Sequence, residues 1–76
     1  MNPYQDIPIW TLTKDGKVAR AELRYVEGYG YEARLLFNGE FRQGRAFRGE
    51  EQGGKAAKEW AEDWRKDLLT QGWAVV

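Results

Sequence analysis

Apolar and polar residues alternate from Pro8 to Phe37, whereas Ala57, Ala61, Trp64 and Leu68 recur at helical spacing. The first period is that of half-buried strands and the second that of an amphipathic helix. Turn residues divide the alternating part. Asp15-Gly16 suits a two-residue type I′ turn, in which both central residues need positive φ. Such a turn pairs Leu12 with Ala19, Trp10 with Ala21 and Pro8 with Leu23 on one face. The opposite face collects Ile9, Thr11, Thr13, Val18, Arg20, Glu22 and Arg24.

A second turn lies in Glu27-Gly28-Tyr29-Gly30, where a loop of odd length keeps Leu23 beside Ala33 and Ala21 beside Leu35. Asn38-Gly39 marks the third. A strict two-residue turn there places Phe41 and Phe47 on the outer face. A three-residue loop of Phe37-Asn38-Gly39 sets Phe41 opposite Leu35 and buries both rings, and is the reading preferred; a bulge at Gly44 is a further way to change the register.

Gly49 to Gly54 reads as a polar break with glycine as N-cap, followed by a helix from about Gly54 to Gln71. Trp60 widens its apolar stripe, and Glu62 and Lys66 form a favourable i,i+4 pair. Gly72 fits the left-handed C′ position, with Trp73 returning onto Leu68 as in a Schellman motif. The apolar tail Ala74-Val75-Val76 suits a short edge strand. The expectation is a single α+β domain over residues 1–76: a four-stranded antiparallel meander with one C-terminal helix on its inner face, in the order β-β-β-β-α. Trp60 and Trp64 then sit over small residues such as Ala19, Ala21 and Ala33.

Composition narrows the chemistry. Seventy-six residues leave a small core, and four Trp, four Tyr and three Phe supply apolar bulk where disulfides cannot, because cysteine is absent. Histidine and serine are absent as well. No Ser-His-Asp or Cys-His arrangement is available, and the usual zinc, copper, haem and iron–sulfur ligands are missing. Carboxylate pairs such as Glu59/Asp63 and Asp63/Asp67 lie on one helix face, where solvated charge is the ordinary explanation. The reading is therefore a non-enzyme without metal or cofactor.

Gly49-Glu50-Glu51-Gln52-Gly53-Gly54-Lys55-Ala56 nearly matches the phosphate-binding G-x-x-x-x-G-K-[ST] loop. Ala56 replaces the hydroxyl that reaches magnesium, Glu50 and Glu51 would repel phosphate, and the meander lacks the parallel scaffold. A strand-to-helix loop explains the segment better. No apolar run is long enough to span a membrane, and the first residues carry no signal-peptide pattern, so a cytoplasmic protein is expected.

Formal charge is balanced overall, but Lys17 to Arg48 holds seven basic residues against four acidic ones. Arg20, Arg24, Arg34, Arg42, Arg45 and Arg48, with Leu36 among them, are the candidate binding residues, assigned mostly to the outer sheet face. Ile9, Val18, Val26 and Ala46 add apolar area there. Arginine mixed with aliphatic surface suits a protein partner or a second copy of the chain. The alternative partner is single-stranded DNA or RNA, held by Arg20, Arg24, Arg34 and Arg42. Against both stands a solvated face in which Glu22 and Glu32 pair with the arginines.

The segment Arg34-Leu35-Leu36-Phe37-Asn38-Gly39-Glu40, with Trp60, Trp64-Arg65, Leu68 and Gly72-Trp73, is similar to small uncharacterised bacterial proteins, a resemblance that implies no activity. In element order alone the chain resembles the single-stranded-DNA-binding regulator fold of the PUR-alpha repeat, Whirly proteins and positive cofactor four. That resemblance implies dimers that bind single strands on sheet surfaces. In scale and shape the chain is also similar to phage-encoded inhibitors, including some anti-CRISPR proteins.

Overall fold

The computed structural model describes residues 6–76. Strands β1 (Ile7–Lys14), β2 (Lys17–Val26), β3 (Gly30–Phe37) and β4 (Glu40–Arg48) form an antiparallel meander. Helix α1 (Glu51–Thr70) follows, and β5 (Ala74–Val75) closes the chain. The sheet order is β4-β3-β2-β1-β5, so the tail adds a fifth, two-residue strand beside β1. The architecture is α+β, with the helix packed on one sheet face.

Local chemistry accounts for the turns. Asp15 and Gly16 both adopt positive φ, as a type I′ turn requires, and Leu12 lies opposite Ala19. The β2–β3 loop holds three residues, and Leu23 meets Ala33 while Ala21 meets Leu35, as the alternation predicts. At the helix C-terminus Gly72 takes φ 97°, its N–H donates to the Leu69 carbonyl, and the Trp73 N–H donates to the Leu68 carbonyl at 3.1 Å. These are the two bonds of the Schellman motif, and Trp73 packs against Leu68 as expected.

Four expectations are corrected. The third turn is a two-residue type I′ turn, with Asn38 at φ 52° and Gly39 at φ 81°, not a three-residue loop. The Asn38 side chain also accepts the Val18 N–H at 3.0 Å, while its own N–H reaches the Val18 carbonyl at 2.8 Å. These contacts reward the tighter turn. Phe41 consequently lies opposite Leu36 on the outer face. A register shift then makes Arg42 the extra residue of β4, so Phe47 returns to the inner face opposite Tyr31. The bulge therefore lies at Arg42, two residues before Gly44, and one phenylalanine is tucked inward instead of two.

The second correction concerns β1. A bulge at Ile9 sets Ile7, rather than Pro8, opposite Leu23. Proline cannot donate to a ladder, and a bulge is one of the places where a strand tolerates it. Ile9 then packs on the inner cluster of Leu23, Ala33 and Ala57 instead of facing outward.

Third, the helix starts at Glu51, and Glu50, not a glycine, is its N-cap residue. Gly53 and Gly54 belong to the first turns and let the helix touch the sheet backbone. A Cβ at Gly53 would stand 2.5 Å from the Phe47 carbonyl oxygen, and one at Gly54 3.3 Å from the Tyr31 ring. The glycines that imitate a phosphate loop are thus packing residues. Fourth, Glu62 pairs with Arg65 at 3.0 Å rather than with Lys66.

The core is a thin layer in two clusters. Leu12, Ala19 and Leu68 are surrounded by Trp10, Phe37, Trp64, Leu69 and Trp73. Leu23, Ala33 and Ala57 are surrounded by Ile9, Tyr31, Phe47 and Trp60. Alanines on both layers leave room for the indoles, and Trp60 and Trp64 meet edge to face at 6.3 Å. The Trp10 indole N–H donates to the Ala61 carbonyl at 2.8 Å, tying β1 to the helix.

Candidate functional site

The helix crosses the sheet diagonally. Its N-terminal turns touch Tyr31 and Phe47 on β3 and β4, whereas Leu68 lies over Leu12 and Ala19 on β1 and β2. The Lys14 ammonium donates to the Gln71 carbonyl at 2.7 Å beside the C-terminal end. A diagonal helix covers two corners of a sheet and uncovers the other two. One uncovered corner is an open groove of about 370 Å³ between the start of β4 and the second half of α1. Leu35, Phe37, Trp64, Leu68 and Trp73 form its apolar walls, with Arg42, Gln43 and Gln71 at the rim. Phe37 and Trp73 meet edge to face at 5.7 Å. The opposite corner is a groove of similar size, where Ile7, Leu23 and Tyr31 are bordered by Glu50, Glu51, Lys55 and Lys58.

The arginines fall into two groups. Arg20, Arg24 and Arg34 lie on the outer face with Leu36, as the alternation predicts, and each is held by a carboxylate. Arg20 pairs with Glu22 at 3.0 Å, and Arg34 with Glu32 at 3.0 Å. Arg24 grips Asp6 with two bonds, Nε to Oδ1 at 2.7 Å and Nη2 to Oδ2 at 2.9 Å. The guanidinium holds the Asp6 carboxyl below its ordinary value, and Asp6 in turn raises the Arg24 pKa. Asp6 was not among the partners that alternation foresaw, because it precedes the alternating run.

Phe41 finishes this face. The Arg34 guanidinium stands 4.3 Å from the centre of its ring. The same ring leans over Gly44, where a Cβ would lie 3.1 Å from it. An aromatic side chain thereby shields the bare backbone of a strand glycine. Leu36 is 8% exposed beneath this arrangement, so its assignment as an exposed contact is corrected: it is buried within the outer face.

Arg42 and Arg45 do not belong to the outer face, and that assignment is corrected too. The bulge at Arg42 brings its guanidinium over the Phe37 ring at 5.3 Å, on the helix side. Arg45 lies opposite buried Ala33 and stands over the Phe47 ring at 5.3 Å. Arg48 stays outside, opposite Gly30, and stands over Tyr29 at 5.4 Å. Among the described residues, the ion pairs engage Arg20, Arg24, Arg34 and Arg65, and none involves Arg42 or Arg45.

The two sheet edges also differ. On one side β5 covers Leu12 and Thr13 of β1, and Pro8 and the Ile9 bulge interrupt the rest. On the other side β4 is an edge along all nine of its residues, and it is solvent-exposed from Glu40 to Ala46. Its charges are Glu40 against Arg42, Arg45 and Arg48. Periodicity assigns the groove residues Phe37, Trp64 and Leu68 to the core and the Schellman motif assigns Trp73, and all four do pack there. What periodicity missed is that the helix leaves one side of them open.

Among the described residues no group of three or more His, Cys, Asp or Glu side chains gathers as a metal site would require. No helix there is long and apolar enough to cross a membrane. Compared with protein-family models, with curated proteins and with solved structures, the chain matches none.

Proposed function

We propose that this chain is a non-catalytic protein-binding module that takes a partner segment as an added strand on β4. The observation that carries the reading is the contrast between the edges: β5 and Pro8 occupy one, whereas β4, bulged at Arg42, has no strand beside it among the described residues. Unpaired strand edges offer a row of main-chain donors and acceptors, and strand addition is a common mode of peptide recognition.

A second copy of the chain fits this edge poorly. Any symmetric antiparallel pairing must bring side chains of the same face together, and the Arg42 bulge exchanges faces partway along β4. A two-fold centred on Arg45 would also set that arginine against itself, and directly opposed like charges repel. Nucleic acid fits the outer face poorly, because the carboxylates of Glu22, Asp6 and Glu32 already neutralise Arg20, Arg24 and Arg34.

A photo-crosslinking side chain placed at Gln43 tests the reading against the same group at Lys66 on the exposed helix face. Partner adducts are expected from position 43 and not from 66. Equal labelling from both positions, or none from 43, would sink the proposal. An oligonucleotide titration at two salt concentrations is the companion measurement. Tight binding that weakens steeply with salt would instead favour single-stranded nucleic acid.

A further inference from the structure

We infer that the groove beside β4 receives an aromatic side chain from an acidic, extended partner segment, with the ring against Trp64 and Trp73 and a carboxylate two residues along, on the same face of the segment, on Arg42. This rests on the strand-addition reading and deepens it by naming the chemistry of the segment.

Three observations converge. Side chains of an added strand alternate between the two sheet faces, and neighbouring strands lie about 4.8 Å apart. One helix-side residue of the segment therefore lies next to the groove mouth, at the start of β4. The groove walls are aromatic and only half-buried: Trp64 and Trp73 on the helix side, Phe37 on the sheet side. Edge-to-face ring contacts already line it, and a further ring would extend them.

Charge then selects the segment. Arg42 stands at the groove rim and Arg45 three residues on along the same edge, and neither takes part in an ion pair among the described residues. The carbonyl of Gln71, also at the rim, already accepts the Lys14 ammonium. The positive groups left to meet a ligand are guanidinium forks, which match carboxylates bidentately. The opposite corner lacks this selectivity, because Glu50 and Glu51 border it together with Lys55 and Lys58.

The test titrates the full chain, labelled with nitrogen-15, with a capped peptide of alternating threonine and valine. The peptide carries one phenylalanine with an aspartate two residues away on either side, so that all three side chains share one face. Two control peptides replace the phenylalanine with alanine or the aspartates with lysines. Expected are shifts of the Trp64 and Trp73 indole N–H signals, slowed exchange of β4 amides, and an unmoved Trp10 indole, which is bonded to Ala61. The alanine peptide should leave both indoles unmoved. The lysine peptide and the exposed-edge variant Arg42→Glu should each weaken binding roughly tenfold or more, the scale of one charge-assisted hydrogen bond.

Slowed β4 amides with silent indoles would overturn the groove assignment and leave strand addition standing. Indole shifts without any β4 response would overturn strand addition, and with it the extended segment. No response of either kind would overturn both. Dimerisation by light scattering, accompanied by concentration-dependent shifts of the same indoles without peptide, would make the occupant a second copy and overturn the acidic segment.

Discussion

At the scale of single residues, glycines and charges act through what stands next to them. Gly53 and Gly54 are adjacent in one helix yet face different neighbours. A methyl at Gly53 meets the carbonyl oxygens of Phe47 and Arg48, which belong to the sheet backbone and cannot yield. A methyl at Gly54 meets only the Tyr31 ring. Gly53→Ala should therefore destabilise by about 1–3 kcal/mol, the usual cost of overpacking. Gly54→Ala should be close to neutral, since the alanine gains about 1 kcal/mol of helix propensity. Urea unfolding of both variants checks the contrast, and an equal loss would contradict it. Asp6 contributes a pH dependence to stability. Its folded carboxyl lies below the ordinary 3.8 because Arg24 binds the charged form. The unfolded chain therefore binds the proton more readily, and the stability from this pair is complete above pH 3.8. It should fade as pH falls through the depressed folded value. Thermal melts of the protein and of Asp6→Asn should differ at neutral pH by a fraction of about 1 kcal/mol, since the pair is partly exposed, and converge in acid.

At the scale of elements, the β3–β4 hairpin shows how two local demands are reconciled. Asn38-Gly39 favours the two-residue turn, and that turn alone would leave Phe47 outside. One extra residue at Arg42 brings Phe47 in while Phe41 stays out, where Arg34 and Gly44 accommodate it. The same bulge, with the arginines beside it, guards a long edge against unwanted pairing. Removing the charges but keeping the strand, as in Arg42→Val/Arg45→Val, should raise self-association. Sedimentation or light scattering across a concentration series would register it, and a strict monomer at every concentration would argue that the bulge alone suffices. The helix end behaves as the local code requires: Gly72 turns the chain, Trp73 returns onto Leu68, and β5 is delivered to β1.

At the scale of the molecule, the described chain is a flattened slab of 39 × 23 × 18 Å. One helix cannot cover a five-stranded sheet, and its diagonal course leaves two corners open. The core compensates with indoles, which pack around its buried leucines and alanines. Trp10 is the link between the first strand and the middle of α1. Trp10→Phe keeps most of the apolar contact and loses the bond to Ala61, so a loss of about 1 kcal/mol is expected. A double-mutant cycle with a distant change such as Asp6→Asn should be additive, since the two groups share no bonds. Marked non-additivity would show that β1 moves as a unit when either tie is cut.

Much of this was legible in the chain because it is encoded over a few residues. Asp15-Gly16, the odd-length loop before Tyr31, the stripe from Ala57 to Leu68 and Gly72-Trp73 each state a local geometry through φ preference or period. The element order, the helix-bearing face and the inner alanines follow from them. The places that escaped depend on residues far apart in sequence. Burial of Phe47 against Tyr31 forces the Arg42 bulge and turns Arg42 toward the helix. The Asp6 carboxylate finds Arg24 only once β1 has paired with β2. Periodicity says which side of a helix is apolar, but the crossing angle decides how much of that side is covered. Close approach at Gly53 and the anchor at Trp10 set that angle, and so the groove and its open edge exist only in the assembled fold.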